Sequence, residues 1–122
     1  MWTVKKYYYL CRDLRINMEI KFEKKYLEEL YYTGSTSEKK YRFQPQIVRK
    51  YRKTIDILES VANTEDLFRY NSLCYEVLRG DKNGLEAVRV NVQYRIEFKT
   101  TKIISETIIT ICNIIELSNH YK

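Results

Sequence analysis

The hydrophobic period changes twice along this 122-residue chain, and that succession admits few folds. Met18, Ile20 and Phe22 alternate with Glu19 and Lys21, the period-two pattern of a short half-buried strand. At Tyr26, Leu27, Leu30 and Tyr31 the spacing becomes helical, and Gly34 supplies a natural stop. A loop rich in Ser, Thr and Lys runs from Ser35 to Phe43. Gln44-Pro45 then opens the strongest helix, because proline is tolerated in a first turn. Ile47, Val48, Tyr51, Ile55, Leu58 and Ala62 form one apolar stripe, so this helix packs along its whole length. From Leu73 the period returns to two, in Leu73, Tyr75 and Val77, in Val88 and Val90, and in Ile96 and Phe98. Gly80-Asp81 and Asn83-Gly84 are turn dipeptides, and Asn91-Val92-Gln93 can close the last two segments into a hairpin. Ile108 to Leu117 is apolar on both sides, as befits a strand inside a sheet. Strand, two helices, then antiparallel strands predict an α+β domain, its helices on one face of a four- to five-stranded, mainly antiparallel sheet.

The length suits one domain, and 44% apolar with 31% charged residues describes a chain that folds. The first 17 residues are cationic and tyrosine-rich without a period, so the expected domain is 18–122 with residues 1–17 as an appended extension. The most apolar stretch, Ile103 to Leu117, is interrupted by Ser105, Glu106 and Asn113, which argues against a membrane span. Cys11, Cys74 and Cys112 are odd in number and widely spaced, which points away from a disulfide framework and towards a reducing, cytoplasmic setting. A single histidine, His120, gives no zinc-ligand set, and no nucleotide-binding glycine loop occurs; neither metal nor cofactor is expected. Twenty-two Lys and Arg against 16 Asp and Glu leave a net charge of +6, which favours a polyanionic partner such as nucleic acid or an acidic protein surface.

Two groups of residues stand out. The first is the basic run Lys39, Lys40, Arg42, Arg49, Lys50, Arg52 and Lys53, uninterrupted by any acid. It reads either as a solvated helix face or as a surface for RNA or for an acidic protein. The second is in the hairpin. With its turn centred on Val92, Arg89 and Arg95 fall directly opposite one another, an unfavourable like-charge pair that needs an offset. Glu97 or Glu76 can supply it within the chain. Alternatively Arg79 joins the two to make a three-arginine cleft for an RNA phosphate, which guanidinium binds bidentately. Cleavage of RNA by its own 2′-hydroxyl requires a base, an acid and cations around the phosphate, and no metal. Glu76 or His120 can serve as base or acid, although a histidine so near a chain end is more often merely a mobile polar group.

Tyr32-Thr33-Gly34-Ser35-Thr36-Ser37, the long basic helix, Leu78-Arg79-Gly80-Asp81 with Gly84, Val88-Arg89-Val90-Asn91 and Tyr94-Arg95-Ile96-Glu97-Phe98 together resemble the HigB branch of the RelE/ParE toxins. The resemblance runs in order from Met18 to Tyr121, and order with spacing makes it specific where single motifs are weak. It implies a RelE-like fold and the toxin of a type II toxin–antitoxin pair, an endoribonuclease that cleaves messenger RNA in the ribosomal A site and is neutralised by a HigA-like helix-turn-helix antitoxin. By the same resemblance Arg79 contacts phosphate, Arg89 and Arg95 stabilise the transition state, and Tyr94 is structural. Two positions depart from the family. Glu76 stands where some members carry a histidine, and Asn119-His120-Tyr121 replaces a closing Asp-Tyr-His, which exchanges the imidazole and the phenol in order. Competing expectations are a ParE-like toxin that inhibits DNA gyrase without cutting RNA, and a degenerate member that only binds its antitoxin.

Overall fold

A computed structural model describes residues 18–104 and 108–119. The N-terminal extension, His120 and Tyr121 lie outside the described residues. Five strands form one sheet in the order β1-β5-β4-β3-β2: β1 is Glu19–Phe22, β2 Glu76–Val77, β3 Glu86–Arg89, β4 Tyr94–Ile104 and β5 Ile108–Asn119. β1 pairs parallel with β5, and every other pairing is antiparallel. Two helices, α1 (Lys25–Tyr32) and α2 (Pro45–Ser60), lie between β1 and β2 in sequence. The α+β architecture read from the sequence is the one observed, with β5 placed inside the sheet between β1 and β4.

The helices cover one face. Ile47, Val48, Tyr51, Ile55 and Leu58 of α2 and Tyr26, Leu27 and Leu30 of α1 are buried in one cluster with Val88, Ile96, Phe98, Cys112, Ile114 and Leu117 of the sheet. Burying each large aliphatic side chain contributes roughly 1.5–3 kcal/mol. A bulge reconciles β5 with this face. Phe98 pairs with Ile114 but Glu97 with Glu116, so Ile115 and Glu116 together oppose Glu97. Ile114 and Leu117, three residues apart, therefore both face the core, which strict alternation forbids.

The structure departs from the sequence reading in two places. Leu73 to Leu78 is not a continuous strand. Asn71–Leu73 is a 3₁₀ turn that buries Leu73, Cys74 adopts a left-handed conformation (φ 46°), and pairing is confined to Glu76–Val77. The α2 stripe stops short of Ala62, because Val61 turns extended and its carbonyl accepts the Met18 N–H at 2.8 Å, tying the helix end to the start of β1. Gly34 is the stop expected of it, at φ 84° after α1. A Cβ there would also crowd the Arg52 guanidinium at 3.3 Å.

Tyrosines carry much of the core's polar chemistry. Tyr51 donates to the Leu27 carbonyl at 2.7 Å, and the Tyr26 hydroxyl accepts the Leu117 N–H at 3.3 Å. Burial pushes the Tyr26 phenol up to about 12 and raises that of Tyr51 further. Tyr75 rises to about 12 through burial and its hydrogen bond to Glu86. Since the folded state resists the phenolate, this stability is fully present below the free-tyrosine value of 10.0 and is lost as pH rises towards 12. Alkaline titration should therefore show phenolate absorbance at 295 nm appearing in one cooperative step with unfolding for these tyrosines, above pH 10. A smooth, non-cooperative titration of every tyrosine near 10 would contradict the burial.

Candidate functional site: an arginine–carboxylate hollow on the open sheet face

Along β3 and β4 the side chains that do not enter the core point to the opposite face, away from both helices. The ladder pairs Arg89 with Arg95 and Ala87 with Glu97, and Glu76 of β2 with Ala87. The register is set locally: Asn91 Oδ1 accepts the backbone N–H groups of Gln93 (2.9 Å) and Tyr94 (2.7 Å), and Val90 N–H reaches the Tyr94 carbonyl at 2.9 Å. An Asx turn of this kind fixes the hairpin and with it the opposition of the two arginines. Glu76, Arg89, Asn91, Tyr94 and Arg95, with the exposed thiol of Cys74, line a shallow, open hollow floored by Ala87 and Val88.

The like-charge pair is offset from within the chain. Glu97 is 1% exposed. Its Oε2 accepts Arg95 Nε–H at 3.1 Å and lies 3.1 Å from Nη2 in an ion pair, and Lys82 Nζ reaches both carboxylate oxygens at 2.9 and 2.8 Å. Arg95 Nη1 lies 3.9 Å from Glu76 Oε2. Arg89 is exposed, and among the described residues no carboxylate forms an ion pair with it. Two cations thus face a single hollow, one clamped and one open to solvent, with a half-exposed carboxylate beside them.

Arg79 is not among the residues that line the hollow. After β2 the Leu78 N–H still bonds the Leu85 carbonyl, and the chain then leaves the sheet into the 3₁₀ turn Gly80–Lys82, for which Arg79 is the preceding residue. That register sets Arg79 roughly 16 Å further along the strands than Arg89, at about 3.3 Å per residue. The three-arginine cleft expected from the sequence is therefore a two-arginine hollow. The same turn brings in Lys82, which the sequence reading passed over. No local pattern signals it, because the burial of Glu97 that calls for this cation is itself a tertiary effect.

The basic run divides as well. Arg49, Lys50 and Lys53 are exposed on α2, whereas Arg52 Nε donates to the Tyr31 carbonyl at 2.9 Å and so caps the end of α1. Lys39 and Lys40 sit in a 3₁₀ turn, followed by Arg42, in a loop held by Tyr41 stacked on Tyr26 at 3.6 Å and by Phe43 edge-on to Tyr94 at 5.3 Å. None of the seven lines the hollow, but the loop ends against Tyr94 at its rim. Asn119 is the ladder partner of Tyr94, so β5 also runs out beside the hollow. Among the described residues no cluster of His, Cys, Asp and Glu could hold a metal ion, and no helix is long and apolar enough to cross a membrane.

The hollow thus sits on a five-stranded sheet whose other face is covered by two helices. The fold is similar to that of the YoeB/ParE toxin from Agrobacterium tumefaciens, with a TM-score of 0.50 and 17% identity over 85% of this chain and 100% of that one. A family model described as the RelE-like toxin of type II toxin–antitoxin system HigB matches residues 20–110, and the chain belongs to this HigB-like toxin family. No curated protein sequence matches it. Membership of a type II toxin family implies an antitoxin partner.

Proposed function

We propose that this toxin is a metal-independent endoribonuclease that cleaves messenger RNA in the ribosomal A site in the cytoplasm and is neutralised by a HigA-like antitoxin. Domain 18–122 carries the activity, and residues 1–17 are an addition to it. The observation that supports this most is the opposition of Arg89 and Arg95 across one hollow with the Glu76 carboxylate beside them. Glu76 takes the proton of the 2′-hydroxyl, whose oxygen attacks phosphorus. The guanidiniums of Arg89 and Arg95 stabilise the charge of the pentacoordinate phosphate. The 5′-oxygen leaves with a proton from His120 or Tyr121, which follow Asn119 directly in sequence. Base, cations and acid all come from the chain.

Mapping messenger-RNA 5′ ends after induction tests the reading. Cuts in phase with codons are expected, whereas an inhibitor of gyrase produces none, and neither does a member that only binds its antitoxin.

We assign the exposed cations Lys39, Lys40, Arg42, Arg49, Lys50 and Lys53 to the phosphate backbone of messenger or ribosomal RNA. Replacing Arg49, Lys50 and Lys53 with glutamine should flatten the dependence of log affinity on log salt by about 2, at roughly 0.7 per phosphate for single strands. Replacing Arg52 should change that slope little and lower stability instead, since its guanidinium already serves the Tyr31 carbonyl. Titrations between about 50 and 200 mM salt separate the two results.

A further inference from the structure

Glu97 poses a problem that its position on the sheet does not solve. A carboxylate this buried is stable only when charged partners surround it. The Glu116 across the ladder is no help, being itself an acid and lying 3.7 Å from Lys24. The partners come instead from Lys82, delivered by the turn after β2, and from Arg95 two residues before Glu97 on the same strand. The contacts have a direction. Lys82 covers both carboxylate oxygens, so Glu97 is neutralised from one side and presents Oε2 to Arg95 on the other. Glu97 grips the side edge of the guanidinium, Nε with Nη2, which leaves Nη1 turned towards Glu76 at the hollow. Lys82 and Glu97 cancel one another, so the carboxylate that still faces the Arg95 charge is the half-exposed Glu76 at the hollow.

We propose that Lys82 and Glu97 are a positioning pair that fixes the Arg95 guanidinium for the scissile phosphate, with Lys82 cancelling the carboxylate's charge so that Arg95 keeps its own for the substrate. This rests on the endoribonuclease reading given above. Neither residue touches RNA; both act through Arg95. A long arginine chain otherwise samples many rotamers, and binding it in advance removes the cost of ordering it at the moment of reaction. The Gly80 backbone at φ 70° makes the turn that carries Lys82 over the sheet.

The test uses the full-length chain with Lys82→Met, Lys82→Arg and the double variant Lys82→Met/Glu97→Gln. The double variant buries no charge and keeps the shape, so it folds even where Lys82→Met alone does not. Single-turnover cleavage of ribosome-bound messenger RNA should fall by about 10–100-fold in the double variant, the scale of a misplaced catalytic group. Its affinity for RNA and its unfolding midpoint should stay within about twofold and a few degrees of the unaltered protein. Lys82→Arg should recover most of the rate. Unchanged cleavage in the double variant overturns the proposal, and so does a loss that follows affinity or unfolding alone.

A second readout does not depend on activity. The Arg95 Nε–H should exchange with water more slowly than that of Arg89 in the unaltered chain, and faster in the double variant than in the unaltered chain. Equal exchange for the two arginines in the unaltered chain, or no acceleration of Arg95 in the double variant, overturns the positioning role. Should the unaltered chain cut no RNA at all, the endoribonuclease reading fails by itself, and the exchange rates alone then uphold or overturn the clamp on Arg95.

Discussion

Arg89→Ala is expected to slow RNA cleavage by about 10²–10³-fold and to leave the unfolding midpoint unchanged, because a preorganised cation at a developing phosphate charge acts almost wholly in the transition state. The structure separates its role from folding. Arg89 is exposed and no carboxylate among the described residues pairs with it, so deleting the guanidinium removes no internal partner. It also relieves the like-charge opposition with Arg95. Arg95→Ala gives a contrasting result. That side chain is 20% exposed and holds one side of a buried carboxylate, so its loss should slow cleavage and also cost about 1–3 kcal/mol of stability, Lys82 still covering Glu97. Growth after induction, primer-extension mapping and thermal melts of the two variants distinguish them. Full toxicity and full cleavage in Arg89→Ala would remove the hollow from consideration as the phosphate site.

Much of the hairpin's geometry was legible in the sequence. The alternation around Asn91-Val92-Gln93 placed Arg89 opposite Arg95, and the need for an offset named Glu97 and Glu76, the two carboxylates that now lie within reach of Arg95. Local periodicity is enough there because a hairpin's register is decided within a few residues. What local pattern cannot show is how a turn folds over a sheet. Glu97 alternates as a solvent-facing residue, yet it is buried on the face it shares with Ala87, and its partner Lys82 comes from the turn Gly80–Lys82. Arg79 was misplaced for the same reason, since its fate depends on where the chain quits the ladder. The Leu73–Leu78 strand failed at one residue: Cys74 adopts a left-handed backbone that nothing in its residue type announces. In β5 apolar residues on both sides were a true sign of an interior strand, but they concealed the bulge by which Ile114 and Leu117 share a face.

Tyr26→Ala should be among the most damaging single substitutions, at about 3–5 kcal/mol, the range for deleting a fully buried aromatic ring. A domain of this size has roughly 5–15 kcal/mol in total, so the urea midpoint should fall by about a fifth or more. Three contacts concentrate the effect. The ring sits in the cluster where α1 meets α2 and the sheet, at 1% exposure; its hydroxyl accepts the Leu117 N–H across 91 residues of sequence; and its outer face stacks on Tyr41. Tyr26→Phe isolates the second contact and should cost about 1–3 kcal/mol, because the ring stays while a backbone donor loses its partner. If the two variants proved equally costly, the hydroxyl and not the ring would be the anchor. The third contact reaches the site. Tyr41 carries the loop of Lys39, Lys40 and Arg42, and Phe43 leans that loop on Tyr94 at the rim of the hollow. Tyr41→Ala, which leaves the core ring in place, should therefore raise hydrogen exchange across residues 38–43 and weaken RNA affinity severalfold with only a small change in midpoint. A loop that remained protected without Tyr41 would mean that Phe43 holds it alone, and that the core and the basic loop are mechanically independent.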